Sequence, residues 1–259
     1  QNSLDSLEFN KLLEIIAQHA KSEASRNAIL SIAPLSSIDE VKKRFSCIEE
    51  IRRMSQNGRP LGILPFKDIL PVLQKTRPAD AMPEPVELLW LMEFLNSTHN
   101  AVRQIKEDGL LISLNELIKN LTGMPELLQI LNASIDKDGN ILDSASSILS
   151  GLRAKKRRLE AKIRKRLEEI IRDEGTAVFL QDNFITQRSG RWVIPVRMDS
   201  KGHVQGVVHD VSRTGETAFI EPMSIIGLSN EFENILADEK AEVMRILREL
   251  GSRIRRAAD

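Results

Sequence analysis

Apolar residues recur at steps of three and four along the first 140 residues of the chain. Such spacing is typical of helices that pack one face against a core. Pro34, the turn residues of 57–62 and the prolines between 78 and 85 divide the stretch, because proline and glycine interrupt helices. The helices predicted here cover residues 4–31 with at most one break, 38–56, 67–76, 84–106, 113–120 and 124–132.

Two longer helices are predicted further along the chain. From Ile141 to about Asp173 there is no proline, and apolar residues follow heptad spacing that only Lys156 and Arg166 interrupt. A helix of that length would span roughly 48 Å. Leu228–Arg256 has a similar stripe. Because a compact insertion separates the two, they are expected to run as an antiparallel pair.

Within the insertion the apolar period changes to two, as in a half-buried strand. Trp192, Ile194 and Val196 alternate with their neighbours, so Trp192 is interpreted as a core residue. Ser189-Gly190 indicates a hairpin, and further turns are expected at 199–202 and 212–215. Pro195 inside a strand favours an edge position or a bulge. The fold class is therefore mainly α, a helical core domain and long antiparallel helices that carry a small antiparallel sheet of about four strands.

Composition narrows the class of protein. The 259 residues contain 37 Lys plus Arg and 37 Asp plus Glu, so the overall charge favours no partner. A single cysteine, Cys47, at helical spacing is interpreted as a structural thiol and fits the reducing cytoplasm. No apolar run approaches the ~20 residues of a membrane span, and no signal peptide is evident. Because the last apolar stripe continues to Ile254 without a cap, we expect the chain to be a fragment of a longer protein.

Charge is concentrated locally on the first long helix. Nine basic residues and one acidic residue lie within the 14 residues 153–166. One interpretation is a solvated helix face whose cations pair with acidic residues of the returning helix. The other is attraction to phosphates, which acts mainly through counterion release and weakens with salt.

The insertion adds basic residues at or near its turns. Loops at the tip of a long lever can approach a nucleic-acid backbone without large reorganisation, and the absence of a stacking platform favours recognition of shape or backbone over sequence. The predicted nucleic-acid-binding residues are Arg188, Arg191, Arg197, Lys201, His203 and Arg213.

Metal binding and catalysis are disfavoured. His203 and His209 with Asp210, Glu216 and Glu221 match no zinc spacing. The chain has no G-x-x-x-x-G-K-[ST] phosphate-binding loop. No catalytic residue, metal site or cofactor is therefore predicted within this chain. One rival hypothesis remains, a hydrolytic site at His209, Asp210 and Glu221.

Several segments resemble a known bacterial family. LEFNKLLEIIAQHAKSEASR, ASIDKDGNILDSASSILSGLR, ITQRSGRWVIPVR, GVVHDVSRTGETAFIEP and LSNE are similar to the second type of MutS paralogue, which lacks the mismatch-reading domain and carries a C-terminal Smr domain. The resemblance covers essentially the whole chain, although Arg213 stands where the family often has serine. It implies a helical core domain at 1–140, lever helices at 141–177 and 223–259, and a clamp at 178–222.

The resemblance also implies a function for the whole protein. An ATPase domain that uses ATP and Mg²⁺ and the nuclease-like Smr domain would follow this chain, and homodimers would close around nucleic acid. Expected roles are binding of branched DNA to suppress recombination, and action on collided ribosomes in ribosome rescue. The alternative is a dimerisation or ribosome-contacting module with no nucleic-acid binding of its own.

Overall fold

The structure, a computed structural model, describes residues 7–62 and 66–258. The chain forms two compact units. One comprises Gln1–Ala145 with Ile246–Asp259, and the other is Ser146–Arg245. As predicted, the fold is mainly helical with a small antiparallel sheet of four strands.

The helices of the first unit lie close to the predicted ranges. Their bounds are α1 Phe9–Ala17, α2 Glu23–Leu30, α3 Ile38–Gln56, α4 Leu70–Lys75, α5 Pro85–Lys106, α6 Ile112–Ile118 and α7 Pro125–Ser134. The break expected within 4–31 separates α1 from α2, and residues 4–6 lie outside the described range. Ser22 makes this break by capping α2, since its Oγ accepts a hydrogen bond from the Ser25 N–H at 3.1 Å.

A buried carboxylate joins two helices of the first unit. Glu50 of α3 accepts hydrogen bonds from the backbone N–H groups of Ser113 and Leu114, both at 2.8 Å, at the start of α6. These amides have no partner within their own helix, so the carboxylate satisfies them. Cys47, one turn earlier in α3, is half-buried. Its burial and, to a smaller extent, the negative charge of Glu50 raise the pKa of its thiol. Both features disfavour a nucleophilic role.

The second unit begins with the outgoing helix, α8, at Ser147–Arg172. The prediction of a helix from Ile141 is wrong at its start, because residues 143–145 form a 3₁₀ turn and Ser146 caps the helix. The Ser146 Oγ accepts hydrogen bonds from the N–H groups of Ile148 and Leu149. A short helix, α9, follows at Glu174–Ala177.

The returning helix, α10, spans Met223–Ala258 and contributes residues to both units. It begins five residues before the predicted Leu228, directly after the last strand. In the second unit α8 and α10 run antiparallel, since Ser146 contacts Glu242 whereas Lys155 contacts Glu231. Their shared core includes Leu159, Ile163, Leu167, Phe232 and Ile235.

The four strands are β1 Thr186–Arg188, β2 Arg191–Arg197, β3 Gly206–Val211 and β4 Thr217–Pro222, in the order β1-β2-β4-β3. All pairings are antiparallel. The alternation of residues 192–196 is confirmed on the helix-facing side, where Trp192, Ile194 and Val196 join the core. Residues 193 and 195 are buried as well, so β2 is covered on both faces.

The edge position and the bulge expected at Pro195 are both wrong. Strand β2 lies between β1 and β4, and the register shift of the sheet is in β3, between Val208 and Asp210. The Pro195 carbonyl accepts a hydrogen bond from the Gln181 N–H at 3.0 Å. Since the N and C=O of a strand residue point to the same side, the missing N–H of Pro195 faces residue 181 rather than β4. Proline therefore removes no bond from the β2–β4 ladder.

The start of β3 requires glycine at position 206, because residues 220 and 221 of β4 lie too close to leave room for a Cβ. A Cβ there would lie 2.2 Å from the Glu221 carbonyl oxygen and 2.6 Å from Ile220 Cγ2. We expect Gly206→Ala to lower the free energy of unfolding by about 2 kcal/mol or more, as overpacking does. Urea denaturation measures this change. Gly202→Ala is the matched control, because a Cβ there meets nothing within 4 Å; an equal loss in both variants would contradict the argument.

The stability of the second unit should depend on pH through Glu242. Hydrogen bonds from Arg245, at 2.8 Å, and from the Ser146 hydroxyl, at 2.5 Å, lower the pKa of this carboxyl to about 2. Because the folded pKa lies below the unfolded value, the stabilisation is present above about pH 4.5 and is lost as the pH falls towards 2.

The Glu242→Gln variant should therefore lose less stability than the wild type between about pH 5 and about pH 3. Urea midpoints at the two pH values test this. Equal pH dependence in the two proteins would exclude Glu242 as the titrating group.

Candidate nucleic-acid interface

The sheet topology divides the predicted binding residues between its two ends. Strand β2 ends at Arg197 opposite Thr217, where β4 begins. The turn between β3 and β4 lies at this same end, and we call residues 197–203 with 212–216 the turn end. Arg197, Lys201, His203 and Arg213 belong to it. Arg188 and Arg191 flank the β1–β2 hairpin at the opposite end.

Two of the turn-end residues are occupied by contacts within the chain. Arg197 donates a hydrogen bond from Nη2 to the Val178 carbonyl oxygen at 2.5 Å. The His203 ring stacks on Phe179, with centroids 4.5 Å apart and planes within 5° of parallel. Since one face of the imidazole is covered, His203 has only its other face for a ligand. No local pattern in the sequence indicates the Phe179 contact.

Lys201 and Arg213 differ from these two. Both side chains are exposed, and neither forms an ion pair or hydrogen bond within residues 7–62 and 66–258. Arg213 lies in the tight turn that the Ser212 carbonyl closes by accepting from the Gly215 N–H. A cation without an internal partner can bind a phosphate without first breaking a contact. These two residues are the best placed of the predicted set.

Arg188 and Arg191 lie on the face of the sheet opposite the helix core. The Arg188 guanidinium lies 4.4 Å from the Phe219 ring centroid, and its Nε lies 3.3 Å from Asp210 Oδ2. Arg191 donates from Nη1 to Asn230 Oδ1 at 2.8 Å, which joins β2 to α10. Both arginines are half-buried, so their first role is structural.

Glu221 is the centre of a polar cluster on this face. Its side chain is only 2% exposed, and its Oε2 lies 2.7 Å from His209 Nε2. Arg191 Nη1 lies 3.7 Å from Oε1, which has no hydrogen-bond partner within the described ranges 7–62 and 66–258. A buried carboxylate is costly unless it is paired, so Arg191 and His209 stabilise it.

The rival hydrolytic site at His209, Asp210 and Glu221 is only partly assembled. His209 contacts Glu221, but the Asp210 side chain is directed to Arg188 instead. Within the part of the chain that the structure describes, no group of three or more His, Cys, Asp or Glu side chains could bind a metal ion. None of the helices described is both long and apolar enough to cross a membrane.

Part of the basic run of α8 pairs with acidic residues of the returning helix, which was the first of the two interpretations. Glu239 of α10 accepts from Arg153 Nε at 2.8 Å and from Lys156 Nζ at 2.7 Å. Lys155 pairs with Glu231 at 3.0 Å. Lys156, which interrupts the predicted heptad pattern, is therefore neutralised within the helix pair.

Proteins named endonuclease MutS2 match nearly the whole chain. The Geobacillus thermodenitrificans protein is 35% identical over 264 residues, covering 98% of this chain and 33% of its own length. The Bacillus velezensis protein is 34% identical over 256 residues, covering 96% of this chain and 32% of its own. For the Listeria innocua protein the identity is 33%, with 95% and 32% covered. These similarities support membership of the MutS2 family.

The chain spans about a third of the length of these curated relatives. No protein-family model matches it.

The cluster around Glu221 leads to a prediction about stability. Arg191→Ala should lower the free energy of unfolding by about 2 kcal/mol, less than for a fully buried pair because Arg191 is 27% exposed. Chemical denaturation measures the loss. Arg213→Ala removes an exposed arginine that has no partner in the described part of the chain, and it should change stability by no more than about 0.5 kcal/mol. Similar values for both would show that Arg191 does not stabilise the carboxylate.

Proposed function

We propose that this chain is the core, lever and clamp region of a MutS2 protein and that its sheet holds nucleic acid by the phosphate backbone. The observation that carries the proposal is the pair of exposed cations at the turn end, Lys201 and Arg213, which have no ion pair or hydrogen bond among the residues that the structure describes. The similarity to proteins named endonuclease MutS2 supports a partner of this class.

The chemistry of the turn end favours backbone contact over sequence recognition. Phosphate contacts need only positive charge and hydrogen-bond donors, whereas base recognition needs side chains that enter a groove or stack on bases. Trp192 is buried against the helix pair, and Phe179 is covered by His203. The cations of the turn end can contact phosphate whichever base is attached, so the proposed contact is independent of sequence.

In the whole protein, this region would transmit nucleotide-dependent closing of a homodimer to the clamp. ATP and Mg²⁺ would be bound by the ATPase domain, because this chain contains no phosphate-binding loop. Recombination suppression through branched DNA and action on collided ribosomes are the biological roles that we propose for it. The proposed place of the protein is the cytoplasm.

A second candidate is a dimerisation module, and one observation favours it. An apolar groove of about 780 Å³ lies between α3 and α6 in the first unit. Ile48, Ile112 and Leu117 line it and are each more than half exposed. Large exposed apolar patches mark interaction sites. If this groove binds a second copy of the chain, the mass in sedimentation equilibrium should rise with protein concentration, and the substitution Ile112→Glu should abolish the rise.

The test of the first candidate is charge reversal at the turn end. Lys201→Glu with Arg213→Glu should weaken binding and reduce the slope of log K against log salt by about 2, since each phosphate contact contributes about 0.9. The measurement is a salt titration of binding to a four-way DNA junction, a plain duplex and purified ribosomes. Steep salt dependence with a junction preference would support recognition of branched DNA.

The matched control reverses two exposed cations elsewhere, Lys42→Glu with Lys240→Glu, and should leave the slope unchanged. If the turn-end variant behaves like the wild type, the turn end is not a contact surface.

A further inference from the structure

One face of α8 carries cations that the fold does not use. Arg158, Lys162 and Lys165 are spaced by four and three residues, so they lie on one side of the helix. The neighbouring residues Leu159 and Ile163 are buried in the core, and Lys162 and Lys165 border a groove between α8 and α10. All three cations are exposed, and none has an ion pair or hydrogen bond in the described parts of the chain. We call these three residues the outward face.

The other cations of the basic run are engaged elsewhere. Arg153, Lys155 and Lys156 pair with Glu231 or Glu239 of α10. Arg166 pairs with Glu169 at 3.0 Å, and the Arg164 guanidinium lies 5.8 Å from the Trp192 ring centroid. Arg157 also has an interaction within the chain. Contacts within the chain therefore account for six of the nine cations, three of them through pairs with α10, and leave the outward face unexplained.

The surroundings of the outward face are open. The carboxylate of Glu169, one turn beyond Lys165 on the same side of the helix, lines the same groove and pairs with Arg166. The acidic residue within the basic run, Glu160, lies on the opposite side of the helix, two residues from Arg158, and is half-buried. Small residues accompany the cations: Ala161 is exposed, and a Cβ added at Gly151 would meet nothing within 4 Å. A rigid partner can therefore approach the helix closely.

We propose that the outward face binds the phosphate backbone of double-stranded nucleic acid alongside the turn end. This assignment rests on the proposed function for its class of partner and adds a surface that the turn-end cations do not include. Arg158 to Lys165 spans roughly 10 Å along the helix axis. A duplex presents one negative charge per about 1.7 Å of its axis, so the three cations can each contact a phosphate.

Two other anionic partners fit the face less well. Single-stranded nucleic acid is usually bound by aromatic side chains on which bases stack, and the outward face has none. Membrane-surface helices insert an apolar face into the lipid, but the apolar side of α8 is buried in the core with Ile163 and Leu167 fully covered. Duplex DNA and duplex RNA share the backbone chemistry, and the experiment separates them.

The experiment compares the whole 259-residue chain with a variant carrying Arg158→Gln, Lys162→Gln and Lys165→Gln. Binding to fluorescent duplex DNA and duplex RNA is followed by anisotropy over a salt series. The slope of log K against log salt for DNA should fall by nearly 3, at about 0.9 per lost contact. Affinity at low salt should fall at least about tenfold. The duplex for which the slope and the affinity change more is the preferred partner.

Two further variants isolate the effect of position from that of charge. Lys42→Gln, Lys240→Gln and Arg256→Gln remove the same charge from exposed positions elsewhere and should keep the wild-type slope. Arg158→Lys, Lys162→Arg and Lys165→Arg retain the charge on the outward face and should also keep it. Circular dichroism checks the helix content of every variant.

The outcomes distinguish this inference from the proposed function. If the wild type binds with steep salt dependence and the outward-face variant has the same slope, the outward face is not a contact surface, and the turn end remains the proposed one. If the wild type binds neither duplex nor a four-way junction, both proposals fail. Binding to vesicles of phosphatidylcholine with phosphatidylserine, without duplex binding, would instead assign the face to a membrane surface.

Discussion

The shared carboxylate of Glu239 is the interaction on which the second unit depends. Like charges three or four residues apart destabilise a helix, and α8 carries nine cations within 14 residues. Burial raises the pKa of Glu239, but hydrogen bonds from Lys156 and Arg153 outweigh this effect and hold it below its usual value. The carboxylate is therefore charged at neutral pH. Beside it, Leu159, Ile163 and Leu167 pack in the core, where each buried side chain contributes roughly 2 kcal/mol to the stability of the fold.

The sheet depends on this helix pair for one face and on a polar cluster for the other. Trp192, Ile194 and Val196 pack on the helix core. On the opposite face, Glu221 contacts His209 and Arg191. Because Arg191 also binds Asn230 of α10, the cluster fixes the start of β2 to the returning helix. A small sheet is stable when it has a hydrophobic face or packs against a helix, and the core face of this sheet meets that requirement.

These structural requirements decide which cations are available to a partner. Arg188, Arg191 and Arg197 are held by contacts within the chain, and Lys201 and Arg213 are not. On α8, the cations that remain available to a partner are those of the outward face. Because the chain has equal numbers of acidic and basic residues, its net charge gives little long-range attraction. Binding would then depend on these local groups, which is the reason that neutralising a few of them should have a large effect.

The amino-acid sequence by itself determined the classes of the elements and most of their positions. Period, proline and glycine are local signals, and they were sufficient for the helices of the first unit, the hairpin at Ser189-Gly190 and the core position of Trp192. They failed in two places. One was local, because the N-cap Ser146 sets the start of α8. The other depends on a residue outside the strand, because the Gln181 N–H allowed Pro195 to lie in a central strand. Whether a given cation is free is also a tertiary property, because Glu231, Glu239 and Asn230 lie far along the chain from the residues that they neutralise or bind.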